Sequence, residues 1–282
     1  MPVAVVTGGS RGIGLAIARE LAGRGFAIAL GARSIGELEA ARAAIARDFS
    51  VQCLAQETDV SDPKQAQRLV DRARAELGGL DVVVNNAGIN GAIGELTKLG
   101  VEEWRSAIEV NLLGTVYVTR AAIPAMRAQR RGKIINLAGA GVGGPNVAPR
   151  ISAYATSKAA VVQFTECIAR EVAADGIQVN AISPGAVVTE MTAGVIAAGP
   201  ERAGRELYER TLRQRESGGE PPESAARLVG WLASPASGEL TGKLLSARWD
   251  DVRRIDPRKA NSSSLYTLRR IDGQLFAEVE KK

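Results

Sequence analysis

Short apolar runs rich in Val and Ile recur along the chain, separated by longer segments with a helical period. The runs lie at residues 3–7, 26–30, 51–55, 81–85, 133–137, 177–182 and 243–246. They are continuous rather than alternating, which predicts strands covered on both faces. Helical segments fall at residues 12–23, 35–47, 63–77, 101–127, 153–174 and 223–232. The third is well punctuated, since Asp62 suits an N-cap and Pro63 the first turn. Strand alternating with helix predicts a doubly wound α/β fold, a parallel sheet with helices on both faces.

Two stretches break this pattern. Residues 191–222 are polar and mixed, with a short helix expected around 202–215. Near the end of a sheet such a segment reads as a substrate lid or as a long connection. After Trp249-Asp250-Asp251 the chain turns charged, then runs through Asn261-Ser262-Ser263-Ser264. An alternating stretch at 265–271, Asp272-Gly273 and residues 274–279 predict a hairpin. Residues 1–250 are therefore expected to form one domain, and 251–282 an extension. The extension is too small to fold alone and must lean on the main body or on a neighbouring subunit.

Composition narrows the chemistry. The 282 residues, 45% of them hydrophobic, suffice for a sizeable core. There is no histidine, which removes every His-dependent triad, His-ligated metal site and imidazole acid/base mechanism. Cys53 and Cys167 cannot build a metal cage and are expected to be buried, reduced thiols, so no metal is expected. The net charge of +5 is small for this length, and aromatics at 4% are too sparse for a stacking platform. Nucleic acid is therefore not the expected partner. No run of eighteen apolar residues occurs, so no membrane span is expected, and the N-terminus lacks a basic leader. A cytoplasmic location follows as the expectation.

The loop Thr7-Gly8-Gly9-Ser10-Arg11-Gly12-Ile13-Gly14 directly follows the first strand and opens the first helix. Glycines there let the backbone turn tightly and approach a pyrophosphate at a helix N-terminus. The G-x-x-x-G-x-G spacing and the absence of a G-x-x-x-x-G-K-[ST] run point to a dinucleotide rather than a triphosphate. An NAD site needs a carboxylate at the end of the second strand. The chain instead reads Leu30-Gly31-Ala32-Arg33-Ser34, with no acid before Glu37. Arg33, with Arg11 beside it in the loop, suits a 2′-phosphate, so NADP is expected over NAD.

Tyr154 and Lys158 stand four residues apart at the start of a helical segment, so phenol and ammonium share a face. A nearby cation is expected to lower the Tyr154 pKa towards acid/base work. With Asp59-Val60, Asn85-Asn86-Ala87-Gly88, Asn111 and Pro184-Gly185 with Thr189, these motifs resemble, in order, the short-chain dehydrogenase/reductase family. The resemblance covers about residues 3–246 and implies a Rossmann-type fold. It implies that Asp59 and Val60 contact the adenine, and that Asn86, Ala87 and Gly88 line the cofactor ribose. Gly8, Ser10, Arg11, Gly12, Ile13 and Gly14 would hold the phosphates. Tyr154 would be the general acid in reduction, and Lys158 would also hold the nicotinamide ribose. Asn111 would hold a relay water. Pro184, Gly185, Val187 and Thr189 would border the nicotinamide. Such proteins take small-molecule carbonyls or alcohols, and a homodimer or homotetramer is expected.

One family feature is missing. The usual reactive serine should follow the strand ending at Leu137, yet the places it would align hold Ala138 and Gly139, or Gly141. Losing such a donor costs about 3–4 kcal/mol of transition-state stabilisation. Two explanations keep the activity: Asn146, Ser152 or backbone N–H groups take the serine's place, or the substrate polarises itself. Alternatively, the fold has become a catalytically weak NADP-binding scaffold or sensor. Within the enzyme class, 3-oxoacyl thioester reduction and hydroxysteroid or sugar-alcohol chemistry stay open. Arg202, Arg205 and Arg210 could attract an anionic substrate or simply form a solvated face.

Overall fold

The apolar runs become seven strands: β1 (Val3–Thr7), β2 (Ala27–Ala32), β3 (Cys53–Glu57), β4 (Val82–Asn85), β5 (Gly132–Leu137), β6 (Ile177–Ser183) and β7 (Leu244–Ser246). The structure is a computed structural model that describes residues 1–139, 142 and 148–268. Among these residues the strands form one parallel sheet in the order β3-β2-β1-β4-β5-β6-β7. All five residues of β1 are buried, because helices cover both faces of the sheet. Ala4 and Val6 pack with Ile17, Leu21 and Val229 on one face. Val5, pointing the other way, packs with Leu69, Val118 and Met126.

The helices are α1 (Gly12–Gly23), α2 (Ile35–Phe49), α3 (Pro63–Leu77), α4 (Val101–Ala107), α5 (Gly114–Gln129), α6 (Ser152–Glu171), α7 (Glu190–Ala203), α8 (Arg205–Glu216), α9 (Pro222–Ala233) and α10 (Pro257–Asn261). The α3 start is as the sequence predicts: Asp62 accepts from the Lys64 N–H at 2.8 Å, with Pro63 in the first turn. The expected helix 101–127 is instead interrupted by a wide π turn at Ile108–Leu113. Residues 191–222, expected to hold one short helix, hold two. Gly199 at φ +72° kinks α7, Gly204 at φ +77° joins it to α8, and a small apolar seam of Ile93, Val195, Ala203 and Leu207 seats both. That seam was hidden by the polar composition around it.

Cys53 is half-buried, its thiol pushed up to about 12 by that burial. Cys167, expected buried, is exposed on α6 and accepts from the Gln163 amide at 3.7 Å. No helix among the described residues is long and apolar enough to cross a membrane.

As far as Leu268 the extension leans on its own chain. The Asn261 amide bridges the Thr241 N–H (3.1 Å) and the Glu239 carbonyl (2.8 Å). The Leu244 N–H on the edge strand donates to the Tyr266 carbonyl at 2.7 Å, which covers part of an otherwise unpaired edge. Buried Lys243 donates to the Ser263 and Leu265 carbonyls, and Glu166 accepts from the Leu268 N–H at 3.1 Å. The expected hairpin turn at Asp272-Gly273 lies outside the described residues.

Candidate active site

The strand order reverses between β1 and β4, and the crevice beyond their carboxyl ends is where an open α/β sheet receives a ligand. Thr7 and Asn86 lock this point. The Thr7 hydroxyl accepts from the Asn86 N–H (3.0 Å) and the Ala87 N–H (3.1 Å), while the Asn86 amide donates to the Thr7 and Gly8 carbonyls. Gly8 turns at φ +63°, and a Cβ there would lie 2.8 Å from the Asn86 amide nitrogen. At Gly12, φ +55°, a Cβ would meet only Thr189 at 3.9 Å. The loop thus keeps a backbone-walled opening at the start of α1, which fits the phosphates of a dinucleotide.

A cavity of about 550 Å³ runs from this loop to α6. Gly8, Ser10, Arg11, Gly12, Ile13, Gly14 and Arg33 line one end, with Asp59 and Val60 beside them. Asn86, Ala87 and Gly88 form the middle, and Tyr154, Lys158, Pro184 and Thr189 the other end. Three expected residues do not line it. Val187 is buried, paired with Gly219 and accepting from Gln214; Val188 faces the cavity instead, as alternation in extended chain requires. A Cβ on Gly185 would face Glu220 at 3.2 Å. Asn111 lies behind the wall, fully buried in the π turn.

From there Asn111 braces the site. Its Oδ1 accepts from the Ile89 N–H (2.8 Å), and its amide donates to the Ile89 carbonyl and the Ser157 hydroxyl, both at 2.9 Å. Ser157 in turn donates to the Tyr154 carbonyl at 2.7 Å. The π turn widens the helix at this point, and such turns recur at functional sites. Deeper in, the Asn85 amide donates to Thr119 (3.0 Å) and Asn136 (2.8 Å), and Asn136 to Thr165 (2.8 Å). This polar ladder through the sheet was not anticipated, and no spacing in the chain signals it.

The Lys158 ammonium donates to the Leu137 carbonyl at 2.8 Å, and burial lowers its pKa to about 8. Burial pushes the Tyr154 phenol the opposite way from expectation, up to about 12. Desolvation, which penalises the phenolate, is the cause of this rise.

At the Arg33 end of the cavity Arg11 is already engaged. Glu37, four residues after Arg33, takes the Arg11 guanidinium and the Ser10 hydroxyl at 3.0 Å each. Of the two guanidiniums expected at a phosphate, Arg33 is the one exposed in the cavity lining without this partner. The Ser34-x-x-Glu37 spacing marks the start of α2, where Ser34 accepts from the Glu37 N–H, but no spacing signals that the Glu37 carboxylate reaches the loop. Of the expected serine substitutes, Ser152 accepts from the Trp104 indole at 3.1 Å. Asn146 and Gly141 lie outside the described residues. Arg202 reaches Glu103 (3.4 Å) and the Ile93 carbonyl (3.3 Å) and does not line the cavity.

A family model described as short chain dehydrogenase matches residues 2–198. Cis-4-hydroxycyclohexanecarboxylate dehydrogenase of Sinomonas cyclohexanicum is 38% identical over 247 residues, 86% of this chain and 94% of that protein. An uncharacterised oxidoreductase of Staphylococcus aureus is 38% identical over 68% of this chain and 80% of its own. NAD⁺-bound xylitol dehydrogenase superposes with a TM-score of 0.78 at 30% identity, covering 87% of this chain and 96% of that one. A variant of actinorhodin polyketide ketoreductase with NADPH gives 0.78 at 32%, covering 87% and 95%.

Proposed function

Because the chain belongs to the short-chain dehydrogenase/reductase family, and so interconverts alcohols and carbonyls with a nicotinamide cofactor, we propose the finer reading: NADPH-dependent reduction of a ketone or aldehyde at Tyr154. The observation that carries it is that Tyr154 and Lys158 share one cavity with the glycine loop at the strand-order reversal. The cofactor, when bound, supplies or accepts a hydride at its nicotinamide ring. The glycine loop would hold its phosphates, Arg33 its 2′-phosphate, and Pro184 and Thr189 would border the ring. Tyr154 donates its proton to the substrate oxygen as negative charge builds there. The Lys158 cation favours that transfer by stabilising the phenolate left behind.

Asn111 acts as a brace for the helix carrying both groups. One lone pair of its Oδ1 remains for a relay water, since the other takes the Ile89 N–H. Helices α7 and α8 serve as the substrate lid. Two observations bear on the substrate. Residues Ala138, Val188 and Met191 give the Tyr154 end an apolar wall. The relative that oxidises a hydroxycyclohexanecarboxylate makes cyclic secondary alcohols and their ketones the first class to try.

The test is turnover of a panel of cyclic, acyclic and thioester-linked ketones with NADPH and NADH. Reduction of panel members with NADPH preferred supports the reading. Tight NADPH binding without turnover of any member favours the scaffold alternative, for which the hydroxyl-free pair Ala138-Gly139 is the specific observation.

A further inference from the structure

The residue after Ala138 faces the reactive phenol. Ala138 continues the β5 ladder, its N–H donating to the Ile182 carbonyl at 2.8 Å, so Gly139 follows directly from the sheet. A Cβ on Gly139 would lie 2.6 Å from the Tyr154 hydroxyl oxygen and 2.9 Å from Cε1 and Cζ of its ring. Such contacts are closer than packed side chains tolerate. Any residue but glycine at 139 therefore displaces the phenol. The phenol's helix cannot retreat to make room. Lys158 ties it to Leu137, two residues before Gly139, and Ser157 ties it to Asn111. The hydroxyl of Tyr154 thus stands in the volume that a serine side chain at 139 would fill.

We propose that Gly139 is a positioning residue whose bare Cα seats the Tyr154 phenol, so that one hydroxyl both polarises and protonates the substrate oxygen. The inference rests on the carbonyl-reduction reading for its kinetics, but not for its geometry. It runs against the simpler expectation that the site lacks a donor and would gain from a serine. If the phenol already holds the space, a serine costs position and adds no donor in the right place. A misplacement of about 1 Å at a reacting group lowers rate by on the order of 10²-fold.

The test compares Gly139→Ala and Gly139→Ser with wild type, each uniformly labelled with fluorotyrosine, the Tyr154 resonance being assigned by its loss in Tyr154→Phe. Both variants should move that resonance, lower kcat by on the order of 10²-fold and leave the NADPH Kd within about twofold. They should also shift the pH profile of kcat together, since alanine and serine share the offending Cβ. An unmoved Tyr154 resonance in Gly139→Ala overturns the proposal, as does a Gly139→Ser protein faster than wild type. Should wild type reduce no carbonyl, the resonance still decides the Gly139 geometry, and only the reductase reading falls. Should Gly139→Ala not fold, the Gly139→Ala/Tyr154→Ala pair should fold because the ring is gone; failure of both overturns the proposal.

Discussion

Lys158 and Tyr154 meet the cavity with pKa values moved in opposite directions by the same cause. Burial penalises whichever form is charged, so the ammonium falls to about 8 and the phenol rises to about 12. In the proposed mechanism Lys158, charged in the free protein below pH 8, would help Tyr154 release its proton, and above it that help would be lost. For reduction, kcat/KM should therefore fall as pH rises through about 8, since this parameter reports the free enzyme. A profile level from pH 7 to 10 would contradict the role given to Lys158. At the other end of the cavity the Arg11–Glu37 pair has side chains 58% and 42% exposed. An ion pair so exposed is worth no more than about 1 kcal/mol, and its carboxylate would also repel a 2′-phosphate. Glu37→Gln should tighten NADPH by about threefold to tenfold and leave NADH nearly unchanged, whereas Arg33→Asp should invert the preference. Equal shifts for both cofactors, read by fluorescence titration, would show that neither residue reads the phosphate.

At the scale of elements, what was legible in the chain was whatever repeats. Seven apolar runs announced seven strands, and Asp62-Pro63 announced α3, because burial on two faces and helix capping each leave a local signature. Ends were less legible: β2 and β3 continue to Ala32 and Glu57, since ladder pairing continues into residues whose side chains are already polar or small. The π turn and the polar ladder left no local mark, because both depend on partners far away in sequence, Ile89 for Asn111 and Thr119, Asn136 and Thr165 around Asn85. That Tyr154 and Lys158 share one cavity was readable from their spacing, while the closeness of the Tyr154 phenol to Gly139 was not. Asn111→Ala would take from the Ile89 N–H and carbonyl their side-chain partner and from the Ser157 hydroxyl the donor it accepts from, leaving that hydroxyl its bond to the Tyr154 carbonyl. Urea unfolding should show a loss of about 1–3 kcal/mol per unpaired group at most, together with a lower kcat. Unchanged stability and rate would remove Asn111 from the brace.

At the scale of the whole molecule, the extension is continuous with the body as far as Leu268. Leu268 packs against the small cluster of Ala138, Val162 and Ala181, directly behind the turn into Gly139. Deleting residues 261–282 would uncover the β7 edge and take away backbone partners of Lys243 and Glu166. The truncated protein should melt at a lower temperature and lose kcat more than NADPH affinity, because the cofactor end of the cavity lies on the far side of the sheet reversal. A truncated protein with wild-type melting and kinetics would make the tail dispensable.

The role proposed for Tyr154 is delivery of the proton in a nicotinamide-dependent carbonyl reduction. It is tested most directly by single-turnover oxidation of NADPH, followed at the nicotinamide absorbance, with wild type and Tyr154→Phe on the best ketone of the panel. Removing a positioned general acid should slow the wild-type step by about 10²–10⁴-fold while NADPH binding stays intact. A Tyr154→Phe protein that turns over at the wild-type rate would contradict the claim.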